Sequence, residues 1–178
     1  MKNDWTVVEA LRFARHDWMN QIQLIKGFLA LGKVERAEQF IEEIILQARQ
    51  DSHLTNLELT ELAELFLTFN WENHSFRLEY EIMQERLSVH AKGDWLTDWF
   101  KCLFTTLNDC VKPFADNLLY VSLEETAEGL RFFFDFSGII TKTEAITQWI
   151  EKSESPETMK RCRILTCSEN ELLFEMIL

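Results

Sequence analysis

The sequence predicts an α+β protein: a long N-terminal helical hairpin, then a separate layer of strands and shorter helices. Three observations predict it. Apolar residues in the first 50 positions recur at helical spacing. From Ser75 onward, short runs alternate apolar and polar residues as half-buried strands do. A polar stretch without period separates the two regimes, and 178 residues suffice for a hairpin plus one ordinary domain.

Residues 5–31 carry the first predicted helix. Leu11, Ala14, Trp18, Ile22, Ile25 and Leu29 follow one another at spacings of 3, 4, 4, 3 and 4, which at about 100° per residue is a single stripe. Gly32-Lys33 interrupts the pattern and reads as a helix stop. Val34, Ala37, Phe40, Ile41, Ile44, Ile45 and Ala48 then make a second periodic run, so the pair describes an antiparallel helical hairpin. One hairpin shields its apolar stripe poorly, whereas two stacked as a four-helix bundle shield it well. A homodimer is therefore the expected completion, and packing of the hairpin on the rest of its own chain is the alternative.

Residues 51–58 (DSHLTNLE) read as a linker and divide the chain into domains 1–52 and 53–178. A shorter helix is expected over 59–72, and FRLEYEI reads as a strand. Asp94 is a plausible N-cap for a helix running to about Lys112, where Pro113 stops it. LLYVSLEE, the turn TAEG and LRFFFDF form a β-hairpin; a helix follows over 143–152; CRILTC and ELLFEMIL make a final hairpin. The second domain is thus one antiparallel or mixed sheet with helices on one face.

Composition narrows the function. Hydrophobic residues are 47% of the chain, with 14 Phe and 6 Trp to fill a core. A net charge of −12 repels phosphate backbones and anionic lipid, so neither nucleic acid nor a membrane surface is an expected partner. Only 5 Gly and 2 Pro occur, too few for a glycine-rich phosphate loop. Cys102, Cys110, Cys162 and Cys167 form no zinc pattern. The N-terminus breaks into charges at once and no apolar run approaches the roughly 18 residues of a membrane span, so a cytoplasmic protein with reduced thiols is expected.

The densest chemical signal is Arg15-His16-Asp17-Trp18-Met19-Asn20. His16 lies about 150° round the helix from the apolar stripe, so its imidazole is expected to face solvent. Arg12, Asn20, Gln23 and Gly27 share that face. An imidazole, with an ordinary pKa of about 6.5, is substantially neutral in the cytoplasm and can attack a phosphoryl group. Arg12 and Arg15 can offset the added charge, Asp17 can hold the other ring N–H, and Asn20 offers a neutral donor and acceptor. Gly27 leaves a flat place for another protein. Residues 11–36 hold five bases (Arg12, Arg15, Lys26, Lys33, Arg36) and two acids (Asp17, Glu35), a local +3 that can steer an acidic partner. The bland alternative is that a lone helical histidine is only a surface residue. A metal site is disfavoured because no ligand stands four residues from His16. His53 in the linker, His74 at a predicted helix end and His90 in a loop have no motif around them.

The stretch LRFARHDWMNQIQLIKGFLALGKVERAEQFIEEI resembles the phosphoacceptor hairpin of the sporulation initiation phosphotransferases, a pattern shared with the dimerisation domain of citrate-type sensor histidine kinases. The residues that carry it are Arg15, His16, Asp17, Asn20, Gln23, Ile25, Gly27, Leu31, Gly32, Lys33 and Ala37. The resemblance is strongest over residues 8–48. It implies a dimeric four-helix bundle and a C-terminal α/β sandwich like a degenerate histidine-kinase ATP-binding domain. It implies a phosphorelay enzyme in which His16 takes phosphoryl from the aspartyl phosphate of a single-domain response regulator. His16 then passes the group to the aspartate of a DNA-binding response regulator controlling sporulation. Arg12, Arg15, Asp17 and Asn20 would support His16, and Gln23, Leu24, Lys26 and Gly27 would meet the partner. The Mg²⁺ would belong to the regulator, with no intrinsic cofactor or metal in this chain. The alternative is a non-catalytic regulator-binding dimer or a degenerate sensor-kinase relative.

Three features of the second half favour a phosphotransferase over a kinase. Aligned on the kinase pattern L-x-D-N-A, Leu107-Asn108-Asp109-Cys110 puts a thiol, a poor Mg²⁺ ligand, at the metal-binding asparagine position. Asp135 and Gly138 keep only part of the D-x-G-x-G adenine motif and read as a strand-end turn. No glycine follows Gly138, so the usual phosphate lid has no material. With only 15 residues before His16 there is no room for a sensor module, so no autokinase activity is expected.

Overall fold

The computed structural model describes residues 5–84, 93–153 and 159–178. Two compact units result, one up to Ser52 and the other from His53 onward.

The first unit is a helical hairpin. Helix α1 spans Val7–Ala30. Thr6 caps it through a reciprocal pair: its Oγ1 accepts from Glu9 N–H at 3.3 Å, and its own N–H donates to Glu9 Oε2 at 3.1 Å. The helix ends as Gly32 turns to φ +68°. There Gly32 N–H donates to Leu29 O and Lys33 N–H to Phe28 O, the paired bonds of a left-handed helix stop. Helix α2 spans Val34–Thr55. It therefore runs through more than half of the expected linker, because Leu54 is buried and Gln47 donates to Asp51 one turn on at 2.8 Å. Glu58, at φ +55°, lies in the turn that follows.

The apolar stripe of α1 divides in two. Ala14, Ile25, Phe13 and Phe28 are half-buried, and Phe28 meets Phe40 of α2 edge-on at 6.0 Å. Leu11, Trp18, Ile22 and Leu29 lie about 80° further round and stay 59%, 64%, 58% and 52% exposed. Helix α2 repeats the arrangement, with Ala37, Phe40 and Ile44 inward and Val34, Ile41 and Ile45 outward. A straight helix beside one neighbour covers about a third of its circumference, so a wider apolar face is left uncovered.

The second unit is a two-layer α+β structure. Its elements are α3 (Thr60–Phe69), β1 (Arg77–Ile82), α4 (Gly93–Cys110), β2 (Leu118–Thr126), β3 (Gly129–Ser137), α5 (Thr143–Lys152), β4 (Arg161–Cys167) and β5 (Glu171–Ile177). The sheet order is β1-β2-β3-β5-β4, with β1 parallel to β2 and the other pairs antiparallel. Helix α3 is shorter than expected, and α4 starts one residue before Asp94, which lies in the first turn instead of capping it. His90 falls outside the described residues.

Strand alternation decides which residues enter the core. Leu119, Val121 and Leu123 of β2 and Phe132, Phe134 and Phe136 of β3 point toward the helices and are fully buried. They meet Phe66 of α3 and Phe100 and Phe104 of α4, with Phe134 stacked on Phe174 of β5 at 4.1 Å. Trp99 of α4 lies 5.7 Å from Phe134 and 5.5 Å from Trp149 of α5.

Candidate functional site

His16 occupies the middle of α1, on the side away from both apolar stripes. Its side chain is 71% exposed. The ring is held by its own helix: Asn20 Nδ2, one turn on, lies 3.2 Å from Nδ1, and Asp17 Oδ1 lies 3.5 Å from the same atom. Nε2 has no protein partner among the described residues and faces outward. Arg12, Arg15, Gln23, Leu24, Lys26 and Gly27 are all exposed on the hairpin. Arg12, Arg15 and Lys26 make no ion pair among the described residues, so their charges are available to a visitor. A Cβ placed on Gly27 would meet nothing within 4 Å, so open surface and not internal packing surrounds it.

Arg36 departs from the basic strip drawn from the sequence. Its guanidinium donates to Gln39 at 3.3 Å and Glu43 at 3.4 Å, and it sits 5.8 Å over the Phe28 ring. It stabilises the hairpin end and contributes little free charge. Met19 was missed from the sequence: it is exposed on the His16 side of the stripe. Its signal was an apolar residue placed on an otherwise polar face. The other described histidines are built into the second unit. His53 is half-buried, and His74 stacks flat on Phe69 at 3.9 Å.

The residues that would make a nucleotide site have other duties. Asn108 Oδ1 accepts from the Ser75 N–H at 2.6 Å. Cys110 is buried, burial pushes its thiol pKa up, and its carbonyl accepts from Thr141. Asp135 lies on the sheet face opposite the helices, beside Tyr120. Gly138 adopts φ +153°, and a Cβ there would lie 2.3 Å from Asn117 Oδ1. Buried Asn117 ties three segments together: Nδ2 donates to Ser75 O and Lys112 O, and Oδ1 accepts from Ile139 N–H. The sequence did not single it out, because an Asn in a loop carries no periodic signal. A buried thiol and an aspartate on the far face do not fit a magnesium–nucleotide site.

Fold and site together define an α+β protein whose helical hairpin presents an exposed imidazole flanked by an amide, a carboxylate and arginines that make no ion pair among the described residues. Residues 1–57 match the model of the Sensor_kinase_SpoOB-type alpha-helical domain, and residues 58–178 match that of the C-terminal domain of Sporulation initiation phospho-transferase B. The chain belongs to the sporulation initiation phosphotransferase B family. It is 38% identical over 141 residues to sporulation initiation phosphotransferase B of Bacillus subtilis (strain 168), covering 78% of this chain and 73% of that protein. Among solved structures it is similar to the Acinetobacter baumannii histidine kinase AdeS at 12% identity, 90% and 95% coverage and a TM-score of 0.46. It is also similar to the catalytic domain of the histidine kinase ThkA at 16% identity, 68% and 90% coverage and a TM-score of 0.45. No helix among the described residues is long and apolar enough to cross a membrane.

Proposed function

We propose that the chain is the histidine phosphotransferase of a sporulation phosphorelay. His16 accepts phosphoryl from the aspartyl phosphate of one response regulator and returns it to the aspartate of a second. The observation that carries this reading is an unencumbered Nε2 on an open, locally basic helix face of a chain that belongs to this family. Transfer needs little covalent chemistry from the protein; it needs the nucleophile in line and the charge balanced. Arg12 and Arg15 supply balancing charge, and Gln23, Leu24, Lys26 and Gly27 form the surface on which the regulator's active-site loops settle. The regulator brings its own Mg²⁺, and nucleotide plays no part. The structural duties of Asn108, Cys110 and Gly138, and the place of Asp135 on the far face of the sheet, support the last point.

The working form is a homodimer in the cytoplasm. Leu11, Trp18, Ile22 and Leu29 of α1, with Val34, Ile41 and Ile45 of α2, form an apolar face suited to a second hairpin. His16 points away from that face, so two copies would present two sites outward.

Incubation with a phosphorylated response regulator tests the proposal. Wild type is expected to gain an acid-labile, base-stable phosphoryl group, and His16→Gln is expected to stay folded and gain none. Label surviving in His16→Gln, or binding of the regulator without transfer, refutes the assignment.

A further inference from the structure

We infer that Asn20 is a positioning residue that decides which nitrogen of His16 carries the phosphoryl group. The inference rests on the phosphotransfer reading above for its consequence, though not for its geometry. Among the described residues two polar groups reach His16, and both reach Nδ1. The Asn20 amide is the nearer at 3.2 Å, while Asp17 Oδ1 at 3.5 Å stands outside ordinary hydrogen-bond length. A neutral imidazole carries one proton, so the partner of one nitrogen settles the state of the other.

An amide has two ends. With Nδ2 donating to the Nδ1 lone pair, the proton sits on Nε2, and the outward nitrogen cannot attack. With the amide turned about its last torsion, Oδ1 accepts from Nδ1–H and Nε2 keeps its lone pair. Asp17, a carboxylate on the same side, favours the second state because it can only accept. In that state the Nε2 lone pair forms the N–P bond as the P–O bond of the aspartyl phosphate breaks. The electron pair returns to the regulator's carboxylate, and the Nδ1 proton stays on the ring against Asn20 Oδ1. Onward transfer runs the same step in reverse toward a second carboxylate.

A neutral partner suits this position. A second carboxylate against Nδ1 would hold the proton as well, but it would add negative charge to a face that must receive a phosphoryl group. The amide orients without that repulsion. Asn20 is itself exposed and packs against no core residue, so replacing it does not endanger the fold.

Two measurements test the inference. Nitrogen-15 NMR of His16 in the free protein, at a pH where the ring is neutral, reads the tautomer directly. Wild type and Asn20→Ala are expected to differ in their Nδ1–H to Nε2–H ratio. Phosphorus-31 NMR after transfer from a phosphorylated regulator reads which nitrogen is occupied. Wild type is expected to carry phosphate on Nε2 alone, and Asn20→Ala on both nitrogens. Its transfer rate is expected to fall about five-fold, the worth of one ordinary hydrogen bond, with regulator affinity unchanged. Asn20→Asp is expected to restore Nε2 selectivity while remaining slow. An unchanged tautomer ratio, or unchanged rate and regiochemistry in Asn20→Ala, overturns the inference. Absence of phosphohistidine from the wild type would instead refute the phosphotransfer reading, and the tautomer measurement, which needs no regulator, would still decide the role of Asn20.

Discussion

Replacing Gly138 by alanine asks whether that glycine is a remnant of nucleotide chemistry or a part of the fold. The new Cβ would lie 2.3 Å from Asn117 Oδ1 and 2.9 Å from Asn117 Cα. Asn117 would have to retreat, and with it the bonds to Ser75 O at 2.7 Å, Lys112 O at 2.8 Å and Ile139 N–H at 2.8 Å. A buried polar group left without partners costs about 1–3 kcal/mol, and a positive φ adds about 1 kcal/mol for any residue with a Cβ. The expected loss is about 3 kcal/mol, and at a urea m-value of about 2 kcal/mol per molar the midpoint falls by about 1.5 M. Urea unfolding followed by tryptophan fluorescence measures it, since Trp99 and Trp149 sit in the affected unit. The same change in an Asn117→Ala background is expected to cost less, because the clashing oxygen is gone. Stability within about 0.5 kcal/mol of wild type would refute the packing argument and reopen another reason for the glycine.

Ile22→Glu tests the proposed dimer and is expected to dissociate it without unfolding the hairpin. The lost burial occurs once per copy at about 1.5–3 kcal/mol each, so the dimer constant should weaken by at least about 100-fold; sedimentation checks it, and an unchanged constant would move the interface elsewhere. His74 is expected to make the second unit acid-sensitive. Burial against Phe69 lowers its pKa, with nearby Glu72 only partly opposing. Below about pH 6.5 the unfolded chain therefore binds a proton that the folded chain resists. Stability is whole above that pH and is lost as pH falls toward the folded-state value. His74→Gln should flatten the pH dependence of unfolding in this window, and an unchanged slope would count against the buried neutral ring.

Much of the fold could be read directly. The two helical runs, the Gly32 stop, the strand alternation around Phe132, Phe134 and Phe136, and the closing hairpin all appear where local pattern put them. Local pattern works there because each element buries one face, and its periodicity records which face. It failed over 51–58, where polar residues hid Leu54 and Leu57, both buried in the second unit's core. The position of His16 opposite the apolar stripe followed from helix geometry alone. Its ring partner did not: Asp17, adjacent in sequence, looked the better candidate, yet Asn20 one turn away comes closer. Helical rotation carries the next residue about 100° away and brings the fourth back to nearly the same side.

By itself the sequence determined the α+β class, the hairpin, the outward histidine and its basic neighbours, because each depends on spacing within one element or on composition. Only the tertiary structure decided what Asp135 and Gly138 do. Asp135 faces away from the helices because its neighbours Phe134 and Phe136 take the core side of the strand. Gly138 is needed because Asn117, from a different loop, occupies the space a side chain would fill. These are meetings between residues distant in the chain, and no periodicity along a single segment encodes them.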